Sequence, residues 1–416
     1  MVSEPAAAGA AARWRSLALG AFAVAMPLGI AVQQGALALL GSVFVVYCVQ
    51  ARRLPRSPLD GWLAVFAAAL LISTAFSPDP TRSLGAYPRL WIVLAFFATY
   101  HLARTRAEVE RLAWLMIASA SLVAVYGVVQ HYTGIDLART LLGKPADVDR
   151  FWLGGGWRTK GLHPSGITYA HNVLFPLTLA SGYALAGGVA RRRRLLLTIG
   201  WLAMLLALVF SATRGVWIAF ALVLLLLAIV RGGRSAIAAL AGLAVLLAAL
   251  GGMDAGIRER ARTAFDLAAN IPRTQIWRAN LDMARERPLL GWGYGSYKHI
   301  RQPFYDRYPE ADTTAHAHND FLQTLVDGGA LALAAFVALF ARILVIGGRG
   351  YRAMTAADEP ARSLAIAAWL AVVGFLIGGL TQYNFGDAEV VVCLWFTVAL
   401  SMRLADQRAA APPPLR

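Results

Sequence analysis

Along most of the chain the hydrophobic positions run on without a break instead of alternating with polar ones. Apolar runs of roughly 17–25 residues, the helical length that crosses a hydrocarbon core of about 30 Å, recur nearly end to end. Twelve can be counted, near 17–33, 35–51, 60–76, 88–103, 112–131, 166–188, 195–211, 215–230, 235–252, 319–346, 362–381 and 388–404. None carries the period-two alternation of β-barrel strands. The pattern predicts an all-α polytopic membrane protein, a single integral membrane domain over 1–416 with about twelve transmembrane helices. The first run follows Arg13 and Arg15 as a signal peptide would, but no small-residue cleavage site follows and a second run begins at once. It is therefore expected to be the first membrane helix.

The polar residues between the runs are unevenly shared. If the N-terminus is cytoplasmic, Arg13, Arg15, Arg52, Arg53, Arg56, Arg104, Arg106, Arg111, Arg191 to Arg194, Arg231, Arg234, Arg349, Arg352, Arg403 and Arg408 all fall on the cytoplasmic side, as the positive-inside rule requires. Both termini are then cytoplasmic, and the long segments 132–165 and 253–318 lie on the outer face. Composition agrees: 58% of residues are hydrophobic and 15% charged, outside the range of soluble domains. The inward arginines account for most of the net charge of +16, so the partner it implies is membrane lipid and not nucleic acid. Cys48 and Cys393 both lie inside predicted spans and give neither a disulfide framework nor a metal pattern.

Outward-facing basic residues are the more informative because topology disfavours them. Arg89 follows Tyr87 and Pro88; Arg158 and Lys160 lie in GGGWRTKGLHPSG; Arg214 lies in SATRG; Arg273 opens RTQIWRANLDMARERPLLGWGYGSY. A single arginine there is accounted for by snorkelling to the headgroups. Arg214 is different, because the turn over 211–215 is so short that its side chain stays near the membrane plane, where a cation calls for an anion. Within 274–286, Ile276, Trp277, Leu281 and Ala284 recur at helical spacing, which predicts an amphipathic helix stopped by Pro288, lying on the membrane surface or beside a ligand. Gly291, Gly293 and Gly295, interleaved with Trp292, Tyr294 and Tyr297, predict a turn able to bring backbone and rings close to a ligand.

The densest chemistry is in TTAHAHNDFLQTLVDGG, from Thr313 to Gly329. His316, His318, Asn319 and Asp320 stand where a polar segment becomes a long apolar helix, and Gln323 and Asp327 follow inside its first turns, where polar groups signal function. Ala170, His171 and Asn172 form a similar triplet, in which His171 is expected to be a packed helix residue. Asp147 and Asp149 have the D-x-D spacing of metal-assisted glycosyltransferases. Beside Lys144 and Arg150 they are expected to form a solvated turn, so activity should survive EDTA and no metal or cofactor is expected.

Three stretches, SATRG after a span, Arg273 and Trp277 followed by PLLGWGYGSY, and HAHNDFLQTLVDGG, together resemble the O-antigen ligase and polymerase superfamily of bacterial inner-membrane glycosyltransferases. The likeness runs from about 150 to the end of the chain; the first five spans resemble the family only in hydropathy. Within it the chain is most similar to the O-antigen ligase, whose pattern has a histidine followed by Asn, Ser or Gln and a glycine about ten residues on. His318, Asn319 and Gly329 match; Ala332 stands where the pattern has Gly, Thr or Tyr, a mild departure.

The resemblance implies a GT-C-like fold with a partly helical periplasmic region. It also implies transfer of a polysaccharide from undecaprenyl pyrophosphate to the lipid A–core oligosaccharide, at the periplasmic face of the inner membrane. Arg214 matches the family's arginine after the central span and Arg273 that of its large periplasmic loop. In such a reaction the pyrophosphate leaves without protonation, and fixed guanidinium charge favours its departure. Arg214 and Arg273 suit that role, with Arg158 and Arg89 next. His318 suits the general base, kept neutral by nearby arginines, with His316, Asn319, Asp320, Trp277 and Lys160 in support. A single displacement would invert the anomeric centre. An O-antigen polymerase or a protein O-oligosaccharyltransferase would use the same groups on other acceptors; the lack of a large soluble segment after the last run favours ligase or polymerase over the protein transferase. A lipid-linked saccharide transporter would instead place polar groups at mid-membrane.

Overall fold

A computed structural model describes residues 4–149, 156–186, 189–252, 255–266, 270–311 and 316–409, and its described elements are helices and turns. The chain opens with α1 (Glu4–Ala25), α2 (Ile30–Ala51), α3 (Asp60–Ala75), α4 (Pro80–Leu84), α5 (Leu94–Leu102), α6 (Arg106–Thr133) and α7 (Leu137–Leu141). It continues with α8 (Gly166–Ala184), α9 (Arg191–Phe210), α10 (Arg214–Arg231), α11 (Gly233–Gly252), α12 (Ala255–Arg262) and α13 (Ile271–Glu286). The short α14 (Tyr297–Ile300) and α15 (Gln302–Tyr305) lead to α16 (Asp320–Ala353), α17 (Ala361–Gly379) and α18 (Ala388–Ala409).

Eight of the described helices, α2, α6, α9, α10, α11, α16, α17 and α18, are long and apolar enough to cross a membrane. The chain is an all-α, multi-pass membrane protein. Of the other four apolar runs, the first, 17–33, is divided by a turn between Ala25 and Ile30, and the remaining three are helical, each with a physical reason for its weaker signature. α3 is short, at 16 residues. The run at 88–103 is divided: Pro88 starts a 3₁₀ turn over Tyr87–Val93, and α5 continues from it. α8 buries His171, Asn172, Thr178 and Ser181, and Asn172 Nδ2 donates to the Met26 and Glu389 carbonyls at 3.1 and 3.2 Å. Such polar contacts join helices where lipid supplies no hydrophobic drive.

α18 is the central helix, with 83% of its apolar window buried against 11% for α11 at the periphery. α16 packs on α3, α17, α18 and α13, and α8 on α9 and α17. The two ends of the bundle differ. At one end the arginines hold the helices to each other: Arg106 pairs with Asp358 at 3.2 Å, Arg231 with Glu359 at 2.8 Å, and Arg403 Nε donates to the Ala103 carbonyl at 2.7 Å. The opposite end carries α4, α7, α12 to α15 and the head of α16.

Residues 271–311 form a second small core on that head. Ile276, Ala279, Met283, Tyr297, Phe304 and Tyr305 pack with Ala317 and Val326. The buried stripe of α13 is thus Ile276, Ala279, Asn280, Met283 and Ala284, which keeps Ile276 and Ala284 of the expected face, while Leu281, expected on it too, is 42% exposed. Packing against α16 and α15 sets this register. The helix ends at Glu286, because Pro288 disfavours the helical conformation at Arg287.

Candidate functional site

α16 begins two turns before a break that only glycine permits. Gly329 has φ 65 and ψ −169 inside the helix, and the loop after α13 fills the gap. The Ala330 and Leu331 N–H groups, which would bond the Val326 and Asp327 carbonyls in a continuous helix, donate instead to the Pro288 and Leu289 carbonyls at 2.8 and 3.2 Å. The freed Val326 and Asp327 carbonyls accept from Trp292 and Gly293 N–H, each at 2.9 Å. These four backbone groups at the break thereby find partners, as a membrane-embedded segment requires. A Cβ on Gly291 would lie 2.6 Å from the Gly329 nitrogen, and one on Gly329 would overlap the Leu289 carbonyl. The three-glycine turn is largely a plug between chain segments, although Tyr294 still lines a cavity.

The head of α16 is fastened to the loop joining α17 and α18. Asn319 caps the helix, its Oδ1 accepting the Leu322 N–H at 2.9 Å, while its Nδ2 donates to the Leu380 carbonyl at 2.9 Å. Asp320, fully buried, accepts the Phe385 N–H at 2.8 Å. His318 lies just before the cap with φ 50, and its Nδ1 is 2.6 Å from Gln382 Oε1. Its N–H donates to His316 Nδ1 at 3.3 Å, and the two rings lie 4.3 Å apart at 71°. The Ala317 N–H donates to Gln323 Oε1 at 2.8 Å. Asn319 and Asp320 therefore hold the helix head in place, and the two imidazoles occupy the turn above it.

Arginines from three segments converge beside this turn. Burial lowers the pKa of Arg273, and Arg214 lowers it further; burial and then Arg260 do the same to Arg158, against Asp149. Arg214 extends from the head of α10 to the loop before α13, donating to the Thr263 carbonyl at 2.6 Å and to Asn270 Oδ1 at 3.0 Å. Arg158 Nε donates to the Ser211 carbonyl at 2.7 Å, at the turn that carries Arg214. Like charges gathered here, with Arg158 and Arg214 bonded to neutral oxygens, raise the affinity of the place for an anion. His316 joins the group: burial first, then His318, Arg273 and Lys298, lower its pKa from 6.5 to about 4, so it is neutral at pH 7.

The remaining sequence candidates fall elsewhere. Lys160 Nζ pairs with Asp136 at 2.8 Å with both side chains buried, a brace between the loop and α7. Trp277 packs in the small core. Asp147 pairs with Arg139 at 3.2 Å, and Asp149 is an exposed partner of Arg158 at 4.0 Å; Arg150 and Thr313 to Ala315 lie outside the described residues. His171 is buried with Nδ1 2.9 Å from the Ile167 carbonyl of its own helix. Arg89 lines a groove of about 1270 Å³ with Arg82, Lys298, Tyr294 and Tyr383, the last of which also meets the His316 ring. From those residues the groove continues along α2, α3, α5 and α18 to Leu54 and Asp60 near the opposite end, with mainly apolar walls.

The fold and site thus define a multi-pass membrane protein with histidines and arginines gathered at the polar end of its bundle. Residues 199–337 match the family model described as O-Antigen ligase, and the matched stretch includes Arg214, Arg260, Arg273, His316 and His318. This stretch of the chain is thus similar to the O-antigen ligase family. No curated protein matches the chain. Three site residues escape the sequence reading. Arg260 sits among other charges in GIRERAR; Lys298 and Gln382 belong to no recurring pattern. A charged run directly before Arg273 was the one available signal, for Arg260.

Proposed function

We propose that this protein is a periplasmic-face glycosyltransferase of the bacterial inner membrane. It moves a glycan from undecaprenyl pyrophosphate to a hydroxyl of the lipid A–core oligosaccharide. The observation that carries the reading is the convergence of Arg158, Arg214, Arg260 and Arg273 with His316 and His318 at one end of the bundle. The arginines bind the pyrophosphate and stabilise the charge that develops as it leaves. His318 takes the proton of the attacking hydroxyl. The oxygen–carbon bond forms at the anomeric carbon while the bond to the pyrophosphate breaks, its electron pair leaving on phosphate oxygen. The apolar groove with Arg82, Arg89 and Lys298 at its upper end fits a lipid chain entering from the bilayer. The arginine-rich opposite end faces the cytoplasm, which places both termini there.

Purified protein in proteoliposomes, given lipid-linked glycan and either lipid A–core or a second lipid-linked glycan, tests the reading. Transfer to lipid A–core is expected, with Arg273→Ala raising the donor KM and lowering kcat. Transfer only to the second lipid-linked glycan would make the protein a polymerase.

A further inference from the structure

The geometry points to Gln382 as a positioning residue that fixes the tautomer of His318, with the proton on Nδ1 and the Nε2 lone pair presented to the acceptor hydroxyl. This rests on the reading of His318 as the base. The amide oxygen of Gln382 lies 2.6 Å from His318 Nδ1. A carbonyl oxygen has no hydrogen to give, so the nitrogen facing it must be the donor, which leaves Nε2 as the basic atom. An isolated imidazole has no such constraint.

The partner is fixed as firmly as the ring. His318, Asn319 and Asp320 are three successive residues, and each is bonded to the same short loop: to Gln382, to the Leu380 carbonyl and to the Phe385 N–H. The helix head and Gln382 therefore keep a constant relation to each other. The choice of an amide also has a chemical consequence. A carboxylate in this place would orient the ring equally well but would favour the imidazolium, which cannot act as a base. A neutral acceptor orients the ring without that effect. Among the described residues, the charged and titratable groups around the turn include His316, Asp320 and Asp327 of α16, Tyr383 beside Gln382, Arg273 from α13, Lys298 from α14, and Tyr294 and Arg89 beyond Tyr383. In the reaction the hydroxyl proton passes to Nε2, and the resulting imidazolium keeps its Nδ1–H on Gln382 throughout.

The test pairs a spectroscopic and a kinetic readout. Nitrogen-15 spectra of histidine-labelled protein, with His318→Asn to assign the signal, should show His318 protonated at Nδ1. Gln382→Leu should shift it towards the Nε2–H form and lower turnover about 10- to 100-fold, with the donor KM unchanged. Gln382→Glu should keep the Nδ1–H form and move the acid limb of the pH–rate profile to higher pH. A wild-type signal from the Nε2–H tautomer, or Gln382→Leu with unaltered turnover and pH profile, would overturn the assignment. Wild-type transfer by His318→Asn would instead remove the base role itself, an outcome separable because the tautomer is read without turnover.

Discussion

His318 occupies the left-handed region of backbone space, which costs a residue other than glycine about 1–2 kcal/mol. The turn holds it there by bonding its N–H to His316 and its ring to Gln382. The His316 bond requires a neutral acceptor, and burial with Arg273 and Lys298 nearby keeps His316 neutral down to about pH 4. In the unfolded chain the same ring protonates near its ordinary 6.5. Between pH 6.5 and 4 the unfolded state therefore binds the extra proton, and stability should fall as the solution is acidified through that window. Thermal melts across it should show the decline, and His316→Asn should flatten it; an equal decline in the variant would place the titration elsewhere. Lys160 gives a contrasting prediction. Truncating it to Ala leaves Asp136 buried without its partner and should cost roughly 3–5 kcal/mol, visible as a lower melting temperature, while activity per folded molecule is retained. His318 was legible in the sequence because a polar cluster at the start of an apolar helix is chemically anomalous. Gln382 was not, since a lone glutamine in a loop has no periodicity or charge to set it apart, and its meaning arises only from what lies opposite.

At the scale of elements, the broken α16 and the loop that completes it behave as one unit. Gly329→Ala places a methyl group in the left-handed region and against the Leu289 carbonyl. The backbone term alone is about 1–2 kcal/mol, and the overlap adds to it, so the variant should melt earlier and lose activity as the head of α16 shifts. A variant with unchanged melting temperature and turnover would show that the break does not position the histidines. The helices themselves were readable because bilayer thickness imposes their length, and the apolar runs coincide with helices apart from 17–33, which is divided between α1, ending at Ala25, and α2, beginning at Ile30. Their interruptions were not. Gly328 and Gly329 stand in an apolar stretch with no local sign of a break, and the loop that compensates for it lies some 40 residues earlier. On α13 the expected stripe holds for Ile276, Trp277 and Ala284 and fails at Leu281, because both faces carry apolar residues and packing on α16 chose between them.

For the whole molecule, the separation of a basic end from an end rich in loops, histidines and clustered arginines gives the bundle a direction. Single cysteines at Thr81 and Arg53, exposed residues of opposite ends, should differ in their reaction with an impermeant maleimide applied from the periplasm, Thr81→Cys labelling and Arg53→Cys not. The reverse pattern would invert the topology and remove the site from its substrates. What composition could not supply was convergence. Arg158, Arg214, Arg260, Arg273 and His318 come from segments spread over 161 positions of the chain, and only the packed bundle gathers them. The most direct test of that gathering is single-turnover glycan transfer in proteoliposomes by wild type and by His318→Asn, a residue that tolerates the left-handed backbone. If His318 is the base, the variant should fold, bind donor and lose roughly 10²–10⁴ in rate; transfer at the wild-type rate would contradict it.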